Sequence, residues 1–298
     1  MINGARWLAP FFLSAILFKS AWFAFLSPLP LFALTLRNHP IQSASALFSN
    51  LVILLLLGNP IGNTAGSATE AWVAGGLWVG VGMLFPLLIR KKSKIHSSFG
   101  WSFLFMVSLI VGGLWIQARQ LDLSLIEYLR VEINTGMDRL IALPDSPVKK
   151  MVEQQGRDAL FKQIMTELPS GILMSVVFCL WINLLFASQI LPGFLSRSFW
   201  ASFRNPHALI YPTLICAVLY TYTDHALYAV GLNGLKLALL FYGLQGLSII
   251  SHFLNRYKIL GFGRLLAYSI GIFFVSPIVL ILGFFDQWFD FRRKFGHS

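Results

Sequence analysis

Apolar residues gather into eight stretches along the chain, at roughly 7–26, 41–58, 71–89, 99–117, 171–191, 207–223, 231–253 and 265–285. Each approaches the roughly 20 residues an α-helix needs to cross hydrocarbon. The pattern predicts an all-α fold, a polytopic transmembrane helix bundle of about eight spans. A half-length apolar piece, Leu31 to Leu36, follows "SPLP" at Ser27–Pro30. Two prolines in four residues cannot continue a helix smoothly, so this piece is either a re-entrant half-helix or an extension of the first span.

The segment 118–168 has a different pattern. "SLIE" at Ser124–Glu127 places a hydroxyl three residues before a carboxylate, the spacing of a capping box. Ile126, Leu129, Ile133, Met137 and Leu140 then recur at helical steps. Pro144 stops that helix, and Ser146-Pro147 starts a second one with Val148, Val152, Leu160, Ile164 and Leu168 on its apolar side. An amphipathic helical pair outside the membrane follows, packed on itself, on the bilayer surface or on a partner. The expected segments are thus 1–117, N-terminal spans; 118–168, the extracytoplasmic connection; and 169–298, C-terminal spans and tail.

Composition agrees with a membrane protein. Of 298 residues 56% are hydrophobic and 12% charged, about half the charged share of soluble domains. Mean hydropathy is +0.70. The net charge of +11 does not indicate nucleic acid: seven basic and seven acidic residues cancel between Arg119 and Lys162, and the other 16 basic residues face five acids, mostly in short loops. No basic face with interleaved aromatics accompanies them.

That distribution sets an orientation by the positive-inside bias. Arg90–Lys94 is the densest basic cluster and is expected in the cytoplasm, with Arg37, Arg197, Arg204, Arg256, Lys258 and Arg264. The loop Gly58–Ala68 and the connection 118–168 then face outward. Arg292–Lys294 disagrees: counting crossings puts this basic tail outside, unless it lies at an interface or one segment fails to cross.

No phosphate-binding loop, Gly-x-Ser-x-Gly elbow or His-Glu-x-x-His pair is present. Cys179 and Cys216 fall inside expected spans and suit packing better than a disulfide or metal site. Gly76 and Gly80, four apart, suit close helix approach. The sequence predicts no enzyme and no cofactor. Polar residues inside apolar stretches carry the functional signal. Asn233 and Lys236, three apart on one helical face, lie near the outer end of the seventh stretch. Asp224 and His225 precede them, and Glu70 opens the third stretch at the same level. The expected site is an outward cavity lined by Glu70, Asp224, Asn233 and Lys236, with Lys236 holding an anionic group and Asp224 as its partner. Against that, Lys236 is about 7–8 Å from its helix end and its stem can reach water. Gln245, Ser248 and His252, on another face, call for interhelical hydrogen bonds, as does Asn183; Lys19 calls for a carboxylate or carbonyl. Asp286 and Asp290 could chelate a cation, although Arg293 is well spaced to pair with Asp290.

The last third also carries a likeness. "NPHALIYPTLICAVL", "LLFYGLQGLSIISHFLNR" and "LGFFDQWFDFRRK", with Gln245-Gly246 and the Gly283–Arg292 pattern, resemble the YybS-like family of bacterial membrane proteins over about residues 200–295. The resemblance implies a multi-pass protein of the bacterial inner membrane with no catalytic residues to carry over. That family is distantly similar to the substrate-binding membrane subunits of energy-coupling-factor transporters. The implied role is a solute-capture or transport component with an ATPase partner; the alternative is a scaffold that binds proteins through 118–168.

Overall fold

The computed structural model describes residues 9–20, 23–37, 40–56, 72–91, 95–191, 197–259, 262–273 and 275–294, and all regular structure among them is helical. The loop Gly58–Ala68 and Glu70 lie outside the described residues. The chain forms two compact units, one of Met1–Lys149 with Ser175–Phe194, the other of Lys150–Met174 with Leu195–Ser298. These units follow contacts, whereas the segments 1–117, 118–168 and 169–298 follow membrane placement.

The first unit begins with broken helices. The stretch expected as a first span holds α1, Leu13–Lys19, which stops at Ser20. The Ser20 hydroxyl donates to the Leu17 carbonyl and accepts from the Phe23 N–H, turning the chain. The half-length piece is α2, Leu29–Leu36, with proline in its first turn and Leu31 and Phe32 fully buried. α3, Pro40–Leu56, has 17 residues, about 25 Å of helix. In hydrocarbon, backbone groups freed by such breaks need partners within the protein. Asn50 of α3 accepts from the Ala15 N–H and donates to the Pro10 carbonyl, at 2.9 and 2.7 Å. Asn183 donates to the Phe25 carbonyl at 2.7 Å. The Trp78 indole donates to the Ser27 hydroxyl at 3.0 Å.

Longer helices follow. α4, Trp72–Arg90, widens into a π-helical segment at Trp78–Leu84. Any side chain at Gly80 would strike Met106 of α5, Ile95–Gln120, which is the close approach expected there; Gly76 makes only ordinary contact with Leu109. Trp101, Leu104, Val111 and Trp115 of α5 remain exposed, an apolar surface suited to lipid. α6, Leu125–Ile141, starts with the expected capping box: Ser124 and Glu127 each hold the other's backbone N–H. α7, Pro147–Gln155, ends at Gly156, whose φ of 85° breaks the helix. α8 then runs from Arg157 to Ile190, with Pro169 inside it. The second amphipathic helix was expected to continue to Leu168; instead its latter half is the entry to the fifth span.

The second unit adds α9, Arg197–Ser202; α10, Ile210–Tyr220; α11, His225–Arg256; α12, Phe262–Phe273; α13, Ser276–Phe289; and α14, Phe291–Lys294. Small residues let the backbones touch. Gly231 abuts the backbone of Leu219 and Tyr220, and Gly246 and Gly283 face the carbonyls of Val279 and Tyr242.

Eight spans are not shown among the described residues. Four helices are long and apolar enough to cross: Trp72–Arg90, Ser97–Gln120, Arg157–Ser188 and His225–Arg256. A fifth would be Phe262–Gly271 with Ser276–Phe289, but this pair is bent by 88°. Contacts bear on that pair. Arg204 bonds Asp290 at 2.6 Å, and Arg292 donates to the Ala201 and Phe203 carbonyls. Three full crossings between Arg204 and Asp290 would separate them by the thickness of the membrane. Their contact requires an even number, so α10, α11 and the bent α12–α13 pair do not all three cross. The basic tail at Arg292–Lys294 then lies on the side of Arg204, and its misfit with the charge bias there disappears.

The Ser124 hydroxyl, then its N–H, hold the Glu127 carboxyl below the ordinary glutamate value. A carboxyl with a lowered folded-state pKa stabilises above its unfolded value, and that contribution is lost as pH falls through the folded one. Hydrogen exchange at the first turn of α6, corrected for intrinsic rates, is therefore expected to quicken on acidification in the wild type. Glu127→Gln should flatten that pH dependence, and Ser124→Ala should cost about 1 kcal/mol of local protection.

Candidate functional site

Pro169 lies inside α8, where it removes a backbone donor and loosens the turn around it. The side chain of Asn233, from α11, enters that turn. Its Oδ1 accepts from the Ser170 N–H and its Nδ2 donates to the Thr166 carbonyl, both at 2.7 Å. These two backbone groups are four residues apart and would bond each other in an unbroken helix. Asn233 thus bonds both groups of one rung of α8, and its second amide hydrogen goes to the Ala229 carbonyl.

One helical turn further on, Lys236 reaches the same helix. Its Nζ lies 2.6 Å from Glu167 Oε2, with about a third of each side chain exposed. The partner expected for Lys236, Asp224, has another task. Its carboxylate accepts from the Ala226 and Leu227 N–H groups and caps α11. Twelve residues of helix, about 18 Å, separate it from Lys236.

The Lys236–Glu167 pair sits at the rim of an open cavity of about 620 Å³. Ser170 and Ser276 also line it, and Leu240, Leu244 and Leu280 represent its apolar walls. That volume lies within the 300–1,000 Å³ usual for small-molecule pockets. The pair retains capacity for a ligand: an ammonium has three donors and a carboxylate about four acceptor positions. Of the four residues expected to form a site, Asn233 and Lys236 come together, Asp224 stands apart, and Glu70 is outside the described residues. The sequence reading missed Glu167. It ends the outer connection just before Pro169, at the depth that drew attention to the others, and could have been gathered with them.

A second polar group is fully enclosed. Arg292 Nη2 lies 2.6 Å from Asp286 Oδ2, with side-chain exposures of 5% and 0%. Gln245 donates to the same oxygen at 2.9 Å and accepts from the Asn205 N–H at 3.0 Å. Ser248 receives Arg292 Nη1 and donates to the Phe203 carbonyl. This is the interhelical bonding that Gln245 and Ser248 called for. Arg293 does not form the expected ion pair with Asp290: it offers only its backbone N–H at 3.4 Å, while Arg204 takes both carboxylate oxygens. Cys179 and Cys216 are free thiols. Among the described residues no group of three or more His, Cys, Asp and Glu could hold a metal ion.

Long apolar helices, lipid-suited outer surfaces and internally satisfied breaks define a multi-helix membrane protein. Residues 11–287 match the family described as "Predicted membrane protein (DUF2232)", and the chain belongs to that family. The match spans nearly the whole chain, well beyond the last third, and carries neither the YybS-like name nor a likeness to energy-coupling-factor subunits. No curated protein and no solved structure matches the chain.

Replacing Asn233 by leucine leaves the Ser170 N–H and Thr166 carbonyl without the amide, at about 1–3 kcal/mol for a buried unpaired group. Asn233→Leu is expected to lower the melting temperature in detergent and speed exchange at Ser170. Exchange at Ser170 equal to wild type would show that the rung closes without Asn233.

Proposed function

We propose that the protein is a non-catalytic component of the bacterial inner membrane that binds an amphipathic small molecule in the cavity beside Lys236. The observation that carries this reading is the cavity itself: leucine-rich walls with one ion pair at the rim. Apolar walls favour a hydrocarbon or ring portion by removing it from water, at about 25 cal/mol per Å². A solute with an anionic group would engage Lys236, with Glu167 now in the balancing role first given to Asp224 and Glu70. Asn233 contributes by holding α8 open at Pro169 and so fixing where Glu167 stands.

Bacterial inner-membrane placement rests on the charge bias and on the resemblance in the last third. A capture role with a separate ATPase partner follows from that resemblance alone. The scaffold reading draws on a different observation: Ile126 and Val131 of α6 are exposed beside the partly covered Leu129–Ile133–Met137 stripe. Crosslinking with and without residues 124–141 tests it, and an unchanged set of partners would remove it.

The cavity reading is tested by thermal shift of the purified protein against amphiphiles of graded chain length bearing a carboxylate or a neutral headgroup. Carboxylates should stabilise the wild type, and Lys236→Ala should weaken that binding about tenfold. Shifts that ignore the headgroup charge, or that Lys236→Ala leaves intact, would contradict it.

A further inference from the structure

The second unit contains another cleft, of about 780 Å³, lined by Arg204, His252, Asn255, Arg256 and Arg292 among others, with no carboxylate in its wall. After Asp224 the chain carries seven basic residues and only two acids, Asp286 and Asp290. Each acid is bonded to one of the cleft arginines from behind, Asp286 to Arg292 and Asp290 to Arg204. These bonds fix the two guanidiniums rather than cancel the site, because Arg256 and the His252 ring add to the same wall. Arg292 Nε is also buried without a hydrogen-bond partner. With Arg204 and Arg292 each paired to a carboxylate, Arg256 is the net positive charge of the wall, set against roughly half a negative charge at the carboxyl end of α11.

The depth of the cleft is marked independently. α13 exposes Phe285, Trp288 and Phe289 near its end, and tryptophan is a residue enriched at the membrane–water boundary. An apolar groove of about 360 Å³ runs beside them, from Ile281 and Phe285 to Lys294. A basic cleft and an apolar groove on one compact unit match a phosphate group carried at the surface of a bilayer.

We propose that this cleft binds a phosphate-bearing anion, with Arg256 and His252 as its adjustable contacts and the Arg292–Asp286 and Arg204–Asp290 pairs as its fixed frame. The site is separate from the Lys236 cavity, and nothing in it depends on what that cavity binds. The test uses the full-length protein in phosphate-free dodecyl maltoside micelles, alone, with added phosphatidylglycerol, or with millimolar inorganic phosphate. Stabilisation by phosphatidylglycerol alone identifies a lipid headgroup; stabilisation by inorganic phosphate identifies a free anion. Arg256→Gln is expected to weaken the effective partner at least fivefold, while Arg256→Lys retains most of it. His252→Asn provides a second reading if Arg256→Gln does not fold. No stabilisation by either phosphate source, or undiminished binding in both variants, overturns the proposal.

Discussion

The fold of the second unit depends on one buried ion pair, Asp286 with Arg292. Two charges removed from water are costly, and removing one partner of such a pair costs about 3–5 kcal/mol because the other is left uncompensated. Here surrounding groups bond most of its polar atoms, although Arg292 Nε has no hydrogen-bond partner. Gln245 and the Phe291 N–H share the Asp286 carboxylate, while Ser248 and the carbonyls of Ala201 and Phe203 take the arginine protons. The pair therefore fixes three places at one point: the 201–205 segment, the middle of α11 and the end of α13. It also decides topology, because residues in direct contact cannot be on opposite sides of a bilayer.

A different constraint governs the Lys236 region. A proline in a long helix frees backbone groups, and in an apolar environment those groups must be paired. Asn233 pairs two of them across α8 and α11, and Lys236 anchors Glu167 one turn away. The cavity opens beside this junction because the helices are held together by polar side chains at one level and lined by leucines elsewhere. The account thus ties the candidate site to a helix defect whose repair is visible atom by atom.

Much of this was legible in the chain. The capping box at Ser124, the close approach at Gly80 and the bonding needs of Asn183, Gln245 and Ser248 followed from local pattern, since a polar group in a greasy helix must find a partner. Which partner was not legible. Glu167 is 69 residues from Lys236, and Asp286 is 41 from Gln245, and no local rule spans such distances. Hydropathy also marked more stretches than there are long helices among the described residues. It averages across Ser20 and across the bend between α12 and α13, where a hydroxyl or a change of direction ends a helix without lowering the mean. Conversely, it divided α8 at its amphipathic start, where the helix in fact continues.

The most direct test of the Asp286–Arg292 anchor is sidedness. Single cysteines at Arg204 and Lys294, in a background lacking Cys179 and Cys216, can be labelled with a membrane-impermeant maleimide in sealed oriented vesicles. Both positions should react from the same side. Labelling from opposite faces would mean that an odd number of segments crosses between them, and the arrangement described for the second unit would be wrong.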